Sequence, residues 1–276
     1  MIPLVVLHLD GTIVGADGQV KQCVWDAVDR ARAAGMKFAA CTGRPAFGVA
    51  QKIATRLGPD NAHIFQSGAQ IAYPDGRTLR VTALKEEAVH RLVASSRKVR
   101  AVLELYTPSN LFVERKTDLS EKHAKLIGVT AIVRDLEEVA SEEPVIRAQW
   151  VMRQGVEEAV IAQAPEGLTV ATATSPGLPG IAFVNITRGE TSKASAVSYL
   201  ADHLRLPLAH VMAVGDSDND IPMLEVVGHP RVMADSSATV LARFDKVLPG
   251  VEACGVVTAI EQAMKLRAAL PESGPS

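Results

Sequence analysis

Short apolar stretches that stop abruptly at polar residues recur along the chain, and the first is VVLHLDGTIV at residues 5–14. Its β-branched and leucine residues end at Asp10-Gly11-Thr12, a pattern typical of an interior parallel strand that runs into a turn. Because side chains alternate across a strand, His8 and Asp10 point to the same side. Ligands of open α/β sheets bind at the carboxyl edge of the strands, so this strand end is a candidate site.

The next segments predict an α/β arrangement. Residues 20–35 place valine and alanine at helical spacing and stop at Gly35, and MKFAACTGR at 36–44 repeats an apolar strand that ends in a Thr-Gly turn. Strand, helix and strand within about 40 residues make one right-handed βαβ unit. A second helix is predicted near residues 45–57, followed by short strands on either side of a Ser-Gly turn at 67–68.

From about residue 76 to 188 the pattern changes to longer strands of alternating polarity. Alternation indicates one solvated face, which favours an antiparallel sheet with helices on its other side. The strands are AVLELYT, NLFVER, AQWVMR and TVATAT, and amphipathic helices are predicted near residues 85–97 and 155–164. The α/β pattern then returns with a helix in TSKASAVSYLADHL, strands in AHVMAVGD and PRVMAD, and a closing helix near 257–266.

The predicted fold class is therefore α/β, with a Rossmann-like parallel-sheet core and an inserted α+β cap domain. The core is assigned to residues 1–78 and 188–276, and the cap to residues 79–187. The tail PESGPS at 271–276 has no apolar side chain to bury and is predicted to be disordered.

Composition narrows the function. Lysine and arginine total 29 against 31 acidic residues, so a net charge of −2 gives no field of one sign for nucleic acid or an anionic membrane. Cys23, Cys41 and Cys254 are odd in number and widely separated, which argues against a disulfide framework and a structural zinc site. The N-terminus shows neither a basic leader nor a long apolar stretch, so a cytoplasmic location is predicted.

Two of the strand ends carry groups suited to a cation or an anion. GDSDND at 215–220 places three carboxylates and an amide within five residues after an apolar strand, and a hard cation such as Mg²⁺ prefers such oxygen ligands. Thr42 and Gly43 can offer a hydroxyl and backbone N–H groups at a helix N-terminus, which is a site for an anion. Taken alone, the acidic turn could be a solvated helix cap and Thr42 an ordinary N-cap.

Four segments, HLDGT at 8–12, TGR at 42–44, TSK at 191–193 and GDSDND, resemble in order and spacing the haloacid dehalogenase-like (HAD) phosphatases. The closer resemblance is to the Cof-type sugar-phosphatase branch, which has a large α+β cap between its second and third motifs. The resemblance spans nearly the whole chain. Its most specific part is GDSDNDIPML, and FQSGAQI has Ser67 where the branch usually has asparagine.

The resemblance implies a Mg²⁺-dependent phosphoric monoester hydrolase that acts on phosphate monoesters of sugars or similar small metabolites. In the family, the first Asp of an Asp-x-Asp pair is the nucleophile that becomes an aspartyl phosphate. The second is the general acid/base, and its backbone carbonyl binds Mg²⁺. The implied site consists of Asp10, Thr42 and Lys193 as catalytic residues, Gly11, Thr42, Gly43, Lys193 and Asn219 around the phosphate, and Asp10, Asp216 and Asp220 around the metal.

His8 occupies the nucleophile position, and this is the departure from the family pattern. A carboxylate can attack phosphorus through one oxygen and coordinate Mg²⁺ through the other, whereas imidazole cannot do both. We therefore expect impaired turnover. Three explanations are compatible with the sequence: an introduced substitution of an ordinary aspartate, a natural protein that binds phosphorylated ligands without turnover, or a working histidine nucleophile. The expected partner is a small phosphorylated metabolite; a catalytically silent phosphate-binding or regulatory protein is the alternative.

Overall fold

The computed structural model describes residues 2–175 and 177–268, so the tail predicted at 271–276 lies outside the described residues. The first part of the core contains β1 (Leu4–Leu7), α1 (Gln22–Ala33), β2 (Lys37–Ala40), α2 (Val49–Leu57), β3 (His63–Phe65), β4 (Gln70–Ala72) and β5 (Thr78–Val81). The inserted part contains α3 (Glu86–Val99), β6 (Val102–Tyr106), β7 (Leu111–Val113), α4 (Asp118–Ile127), β8 (Ala131–Val133), α5 (Leu136–Glu142), β9 (Arg147–Arg153), α6 (Glu157–Ile161), β10 (Leu168–Thr174) and β11 (Ile181–Arg188). The chain then returns to the core with α7 (Lys193–His203), β12 (Val211–Gly215), α8 (Ile221–Val226), β13 (His229–Met233), α9 (Ala238–Arg243), β14 (Val247–Leu248) and α10 (Gly255–Ala268).

The core sheet has the strand order β14-β13-β12-β1-β2, and its paired strands are parallel. Leu4 lies opposite Val211 on one side and Lys37 on the other, so β1 is central. Every residue of β1 is fully buried, as expected for an apolar strand covered by helices on both faces. The predicted parallel arrangement of strands near residues 3–9, 37–42 and 210–215 is confirmed by β1, β2 and β12, and so is the α/β fold class.

The inserted part forms a second sheet with the order β10-β11-β9-β6-β7-β8. Its pairs are antiparallel except for β7 with β8, which sequence patterning did not predict. One face presents Leu103, Leu105 and Trp150 to α3, α5 and α6. The opposite face carries buried polar side chains and covers the core site. The limits of the two domains at 78/79 and 187/188 stay predictions.

The expectation that the chain lacks a disulfide is wrong, because Cys23 and Cys254 are bonded to each other. They are 231 positions apart, but α1 and α10 pack together on one face of the core sheet and bring the two cysteines within reach. The spacing of the two cysteines along the sequence does not predict this contact. Cys41 is a free, buried thiol. Among residues 2–175 and 177–268, no helix is both long and apolar enough to span a bilayer.

Candidate active site

The carboxyl edge of the core sheet brings together the residues that end β1, β2 and β12. The His8 N–H donates to the Val214 carbonyl at 2.9 Å, so the pairing of β1 with β12 continues into the site. Thr42 follows β2 and is fully buried, and Asp216 follows β12. The alternation of the strand places His8 and Asp10 toward this same edge.

Lys193 is the first residue of α7, and its position is set by a capping box. The Ser192 hydroxyl accepts the Ser195 N–H at 3.0 Å, and the Ser195 hydroxyl accepts the Ser192 N–H at 3.2 Å. This fixes the start of the helix at the sheet edge and points the Lys193 side chain, 2% exposed, into the site. Its ammonium donates to Oδ1 of Asn219 and to Oδ1 of Asp220, both at 2.5 Å.

His8 is 6% exposed and is held through Nδ1. That nitrogen lies 3.0 Å from the carbonyl oxygen of Cys41 and 3.1 Å from Nζ of Lys193. One nitrogen cannot donate to a carbonyl and accept from an ammonium at once. Nδ1 can therefore hydrogen-bond to only one of these two groups at a time, and Nε2 has no hydrogen-bond partner among the described residues.

Asp220 is fully buried and its two carboxylate oxygens are both engaged. Oδ2 accepts the N–H groups of Asp216 and Ser217 at 3.0 and 3.1 Å and the Ser217 hydroxyl at 3.0 Å, while Oδ1 accepts Lys193. Burial by itself raises the pKa of this carboxyl, but the charges of His8 and Lys193 and these hydrogen bonds more than offset it and lower the pKa to about 2. Asp220 is therefore a carboxylate throughout the neutral range.

Asp216 faces the turn of residues 10–12. Oδ1 accepts the Thr12 hydroxyl at 2.6 Å, and a Cβ on Gly11 would lie 2.4 Å from Oδ2. Gly11 also has φ +79°, so both the space and the backbone conformation require glycine there. Burial raises the pKa of the Asp216 carboxyl, while the charge of His8 and the Thr12 hydrogen bond oppose that shift.

The same edge offers ligands for a divalent cation. One donor atom each from His8, Asp216 and Asp220 lie within 4.8 Å of one another. Among the described residues no N–H donates to the Asp10 carbonyl, so this oxygen also has free lone pairs. An oxygen set of this kind fits Mg²⁺, with two differences: position 8 supplies a nitrogen, and Oδ1 of Asp220 is shared with Lys193.

Arg44, which the sequence did not single out, binds the side chain of Asp10. Nε donates to Oδ2 at 2.9 Å and Nη2 to Oδ1 at 2.5 Å, the two-pronged geometry that suits a guanidinium and a carboxylate. The Arg44 N–H also donates to the Thr42 hydroxyl at 3.1 Å. The TGR turn therefore orients Asp10 as well as offering groups to an anion.

A cleft with a cavity volume of about 170 Å³ separates the cap from this edge. Its cap side includes His123, which the sequence did not single out. His123 Nδ1 lies 2.8 Å from Oδ2 of Glu104, and the same carboxylate oxygen accepts Tyr106 Oη at 2.8 Å and Gln149 Nε2 at 3.0 Å. The sequence signal that could have predicted this polar cluster is the polar residues of LELY and RAQW, which alternate with core residues on β6 and β9. The residues that line both sides of the cleft are Asp10, Gly43, Arg44, Pro45, Ser67, His123, Leu126, Ile127, Arg147, Gln149, Ala173, Thr174, Ser175, Phe183, Asn185 and Asn219.

The predicted site residues thus meet at one sheet edge beneath the cap, with Asn219 and Asp220 brought in by the turn after β12. Their individual roles stay predictions.

The core is a parallel α/β sheet, and its strand ends carry these site residues beneath an inserted cap. This arrangement is typical of hydrolases that transfer phosphoryl groups and have a cap domain. Residues 5–260 match the family described as haloacid dehalogenase-like hydrolases, and the chain belongs to that family. YxeH of Bacillus subtilis (strain 168) is 26% identical over 253 residues, covering 87% of this chain and 90% of YxeH.

Solved structures show the same likeness. The HAD-superfamily phosphatase BT1666 from Bacteroides thetaiotaomicron superposes with a TM-score of 0.80 at 26% identity, covering 96% of each chain. The HAD subclass IIB sugar phosphatase BT4131 shares the fold with a TM-score of 0.78 at 20% identity, covering 94% of this chain and 98% of its own. The fold is therefore that of the Cof-type branch, as the sequence resemblance implies.

Proposed function

We propose that this chain is a Mg²⁺-dependent phosphatase for phosphate monoesters of sugars or similar small metabolites, in which His8 impairs turnover. The observation that carries the proposal is the meeting of His8, Asp10, Thr42, Lys193 and Asp216 at one sheet edge under a cap. A structural or interaction module would have no use for a buried lysine and acidic side chains in this arrangement.

Lys193 and the Thr42-Gly43 turn would bind the phosphoryl group. The Lys193 ammonium is buried and fixed by Asn219 and Asp220, so it requires no reorganisation when an anion enters. The turn lies ahead of α2 rather than at its N-terminus, and the N–H groups of Thr42 and Arg44 already donate to the Ile64 carbonyl and the Thr42 hydroxyl. The Gly43 N–H, which has no acceptor among the described residues, is the backbone donor left for the phosphate. Positive charge held in a site that excludes water stabilises the negative charge on phosphate more strongly than it would in bulk solvent.

Asp216, Asp220 and the Asp10 carbonyl would hold Mg²⁺. When bound, the ion supplies positive charge that neutralises the phosphate oxygens. The Thr12 hydroxyl fixes Oδ1 of Asp216, which leaves Oδ2 for coordination.

The Asp10 side chain would serve as the general acid and base. It lies two residues beyond position 8, on the same side of the strand end, and Arg44 holds both of its oxygens. In this role Asp10 gives a proton to the leaving oxygen and then takes one from the attacking water.

His8 would impair catalysis because it occupies the position of the nucleophile. A carboxylate there would offer one oxygen to phosphorus and the other to the metal, whereas the imidazole has one ring nitrogen tied to the Cys41 carbonyl. This anchored imidazole also favours the second candidate, a protein of the same fold that binds phosphorylated ligands or regulates without turnover.

The deciding experiment measures phosphate release from a panel of phosphorylated metabolites, with Mg²⁺, by the unmodified chain and by His8→Asp. Activity that appears or rises sharply in His8→Asp supports the impaired phosphatase. Inorganic phosphate binding without turnover in either protein supports the silent binding protein. If neither protein hydrolyses any ester nor binds phosphate, both candidates are wrong.

A further inference from the structure

Arg147 on β9 is a buried cation that reaches across the cleft from the cap. It is 4% exposed, and its Nη1 donates to the carbonyl of Gly43, in the TGR turn, at 2.5 Å. Its guanidinium carbon stacks 4.0 Å from the centre of the Tyr106 ring. These contacts fix the guanidinium over the core site.

The charge of Arg147 is incompletely compensated. Among the described residues it forms no ion pair within 4.0 Å, and its Nε is buried without a hydrogen-bond partner. Tyr106, through its charge and a hydrogen bond, and Glu104 are the groups that act on it. The Glu104 carboxylate already accepts His123, Tyr106 and Gln149. Burial lowers the pKa of the guanidinium, the direction expected for a desolvated cation with too little negative charge nearby.

The charged groups of the core site below Arg147 already have partners. Asp10 is bound by Arg44, and Lys193 is bound by Asn219 and Asp220. Arg147 thus lines the cleft and carries a buried N–H, at Nε, that has no acceptor among the described residues. A buried N–H of a charged group without a partner is costly, and a bound anion would remove that cost.

Asn185 on β11 adds a complementary group. Its Oδ1 is buried without a partner, and Asn185 lines the same cleft as Arg147. An amide oxygen accepts a hydroxyl, so the two residues together suit a ligand with an anionic group and a neighbouring hydroxyl. The cavity volume of about 170 Å³ is below the roughly 300–1,000 Å³ of sites for drug-sized ligands, which favours a compact ligand.

We propose that Arg147 selects substrates whose leaving group carries a second anion, namely phosphate monoesters of small hydroxy acids or sugar acids. The inference rests on the proposed function, since it assigns the cleft to the leaving group. The planar guanidinium, with Nη1 on Gly43 and Nε free, binds the carboxylate, and Asn185 accepts the adjacent hydroxyl.

The test compares two esters that differ at one carbon. Glycerol 3-phosphate and 3-phosphoglycerate have the same skeleton, but one ends in an alcohol and the other in a carboxylate. Their affinities, and that of inorganic phosphate, are measured by calorimetry on the full chain with Mg²⁺. The variant is Arg147→Met, and the matched control is Arg153→Met, which removes an exposed arginine from the end of the same strand. Circular dichroism and thermal midpoints check that both variants fold.

The unmodified chain should bind 3-phosphoglycerate at least about tenfold more tightly than glycerol 3-phosphate. Arg147→Met should lose that advantage and keep its affinity for inorganic phosphate, while Arg153→Met keeps both. Equal affinity of the unmodified chain for the two esters, with inorganic phosphate bound, overturns the inference alone and needs no variant. Absence of inorganic phosphate binding overturns the proposed function instead.

Discussion

Nζ of Lys193 lies 2.5 Å from Oδ1 of Asp220, and both side chains are almost completely excluded from solvent. A buried charge is costly unless it is paired, so each of the two residues requires the other. The pair joins the start of α7 to the turn that follows β12. The positioning of the cation that would meet phosphate is therefore tied to the stability of the core.

Acid should weaken the fold through Asp220. The pKa of its carboxyl is about 2 in the folded chain and roughly 3.9 in an unfolded one. A group whose folded pKa is depressed stabilises the fold above its unfolded pKa and loses that contribution as pH falls through the folded value. The free energy of unfolding should therefore decrease between about pH 4 and pH 2, as measured by urea denaturation.

The variant Asp220→Asn isolates this contribution. It should lower stability at pH 7 by about 3–5 kcal/mol because Lys193 is left unpaired, and it should remove part of the slope below pH 4. Asp60→Asn, at an exposed turn position, is the control and should follow the unmodified chain. Parallel pH curves for the unmodified chain and Asp220→Asn would show that Asp220 does not titrate in this range.

His8→Asp should restore turnover. Loss of one member of a cooperating catalytic set typically costs orders of magnitude in rate, because the remaining groups supply only binding and electrostatics. We expect kcat/KM to rise at least about a hundredfold, equivalent to roughly 3 kcal/mol of barrier.

His8→Asn is the matched control for that variant, since it has the shape of aspartate without its charge, and it should stay inactive. If the unmodified chain proves fully active and forms a phosphoryl adduct at His8 that is acid-labile and base-stable, histidine is the working nucleophile.

Position 8 should also affect metal affinity. Imidazole nitrogen is a poor ligand for Mg²⁺, so titration calorimetry should show binding to the unmodified chain that is weaker than to His8→Asp by about tenfold. Asp216→Asn, in either background, should reduce binding further because it removes the charge of a predicted ligand. Identical Mg²⁺ affinities for the unmodified chain and His8→Asp would exclude position 8 as a ligand.

The disulfide should contribute to stability. Removing a native disulfide typically costs about 2–5 kcal/mol, and Cys23 and Cys254 close a very long loop. Cys23→Ser should therefore lower the thermal midpoint under oxidising conditions. A reductant should lower the thermal midpoint of the unmodified chain and leave that of Cys23→Ser unchanged. An equal decrease in both proteins would show that the reductant does not act through the Cys23–Cys254 bond.

The core site could be predicted from the sequence because its residues lie at strand ends. His8, Thr42 and Asp216 each follow a short apolar run, and parallel strands bring their carboxyl ends to one edge. Lys193 required the family resemblance, since a lysine after TS reads equally well as a solvated helix start.

The cap side of the site could not be predicted from the sequence in the same way. Arg147 and Asn185 become neighbours of the TGR turn only when the two sheets face each other, and no local period encodes that contact. The Arg44–Asp10 pair and the Cys23–Cys254 bond are also contacts between distant positions. Local patterning predicts elements well, but such contacts depend on how the elements pack.

The central position of β1 has a consequence for how the chain reaches its native state. Leu4 can pair with Lys37 as soon as the first βαβ unit has been synthesised, but its other neighbour, Val211, emerges only after the entire cap. Until then one edge of a wholly apolar strand has no partner, and an unpaired strand edge invites association with other chains. Pairings of such long sequence separation also slow folding. One edge of β1 therefore stays unpaired in the nascent protein until β12 has been synthesised, and β13 and β14 extend the sheet only after that.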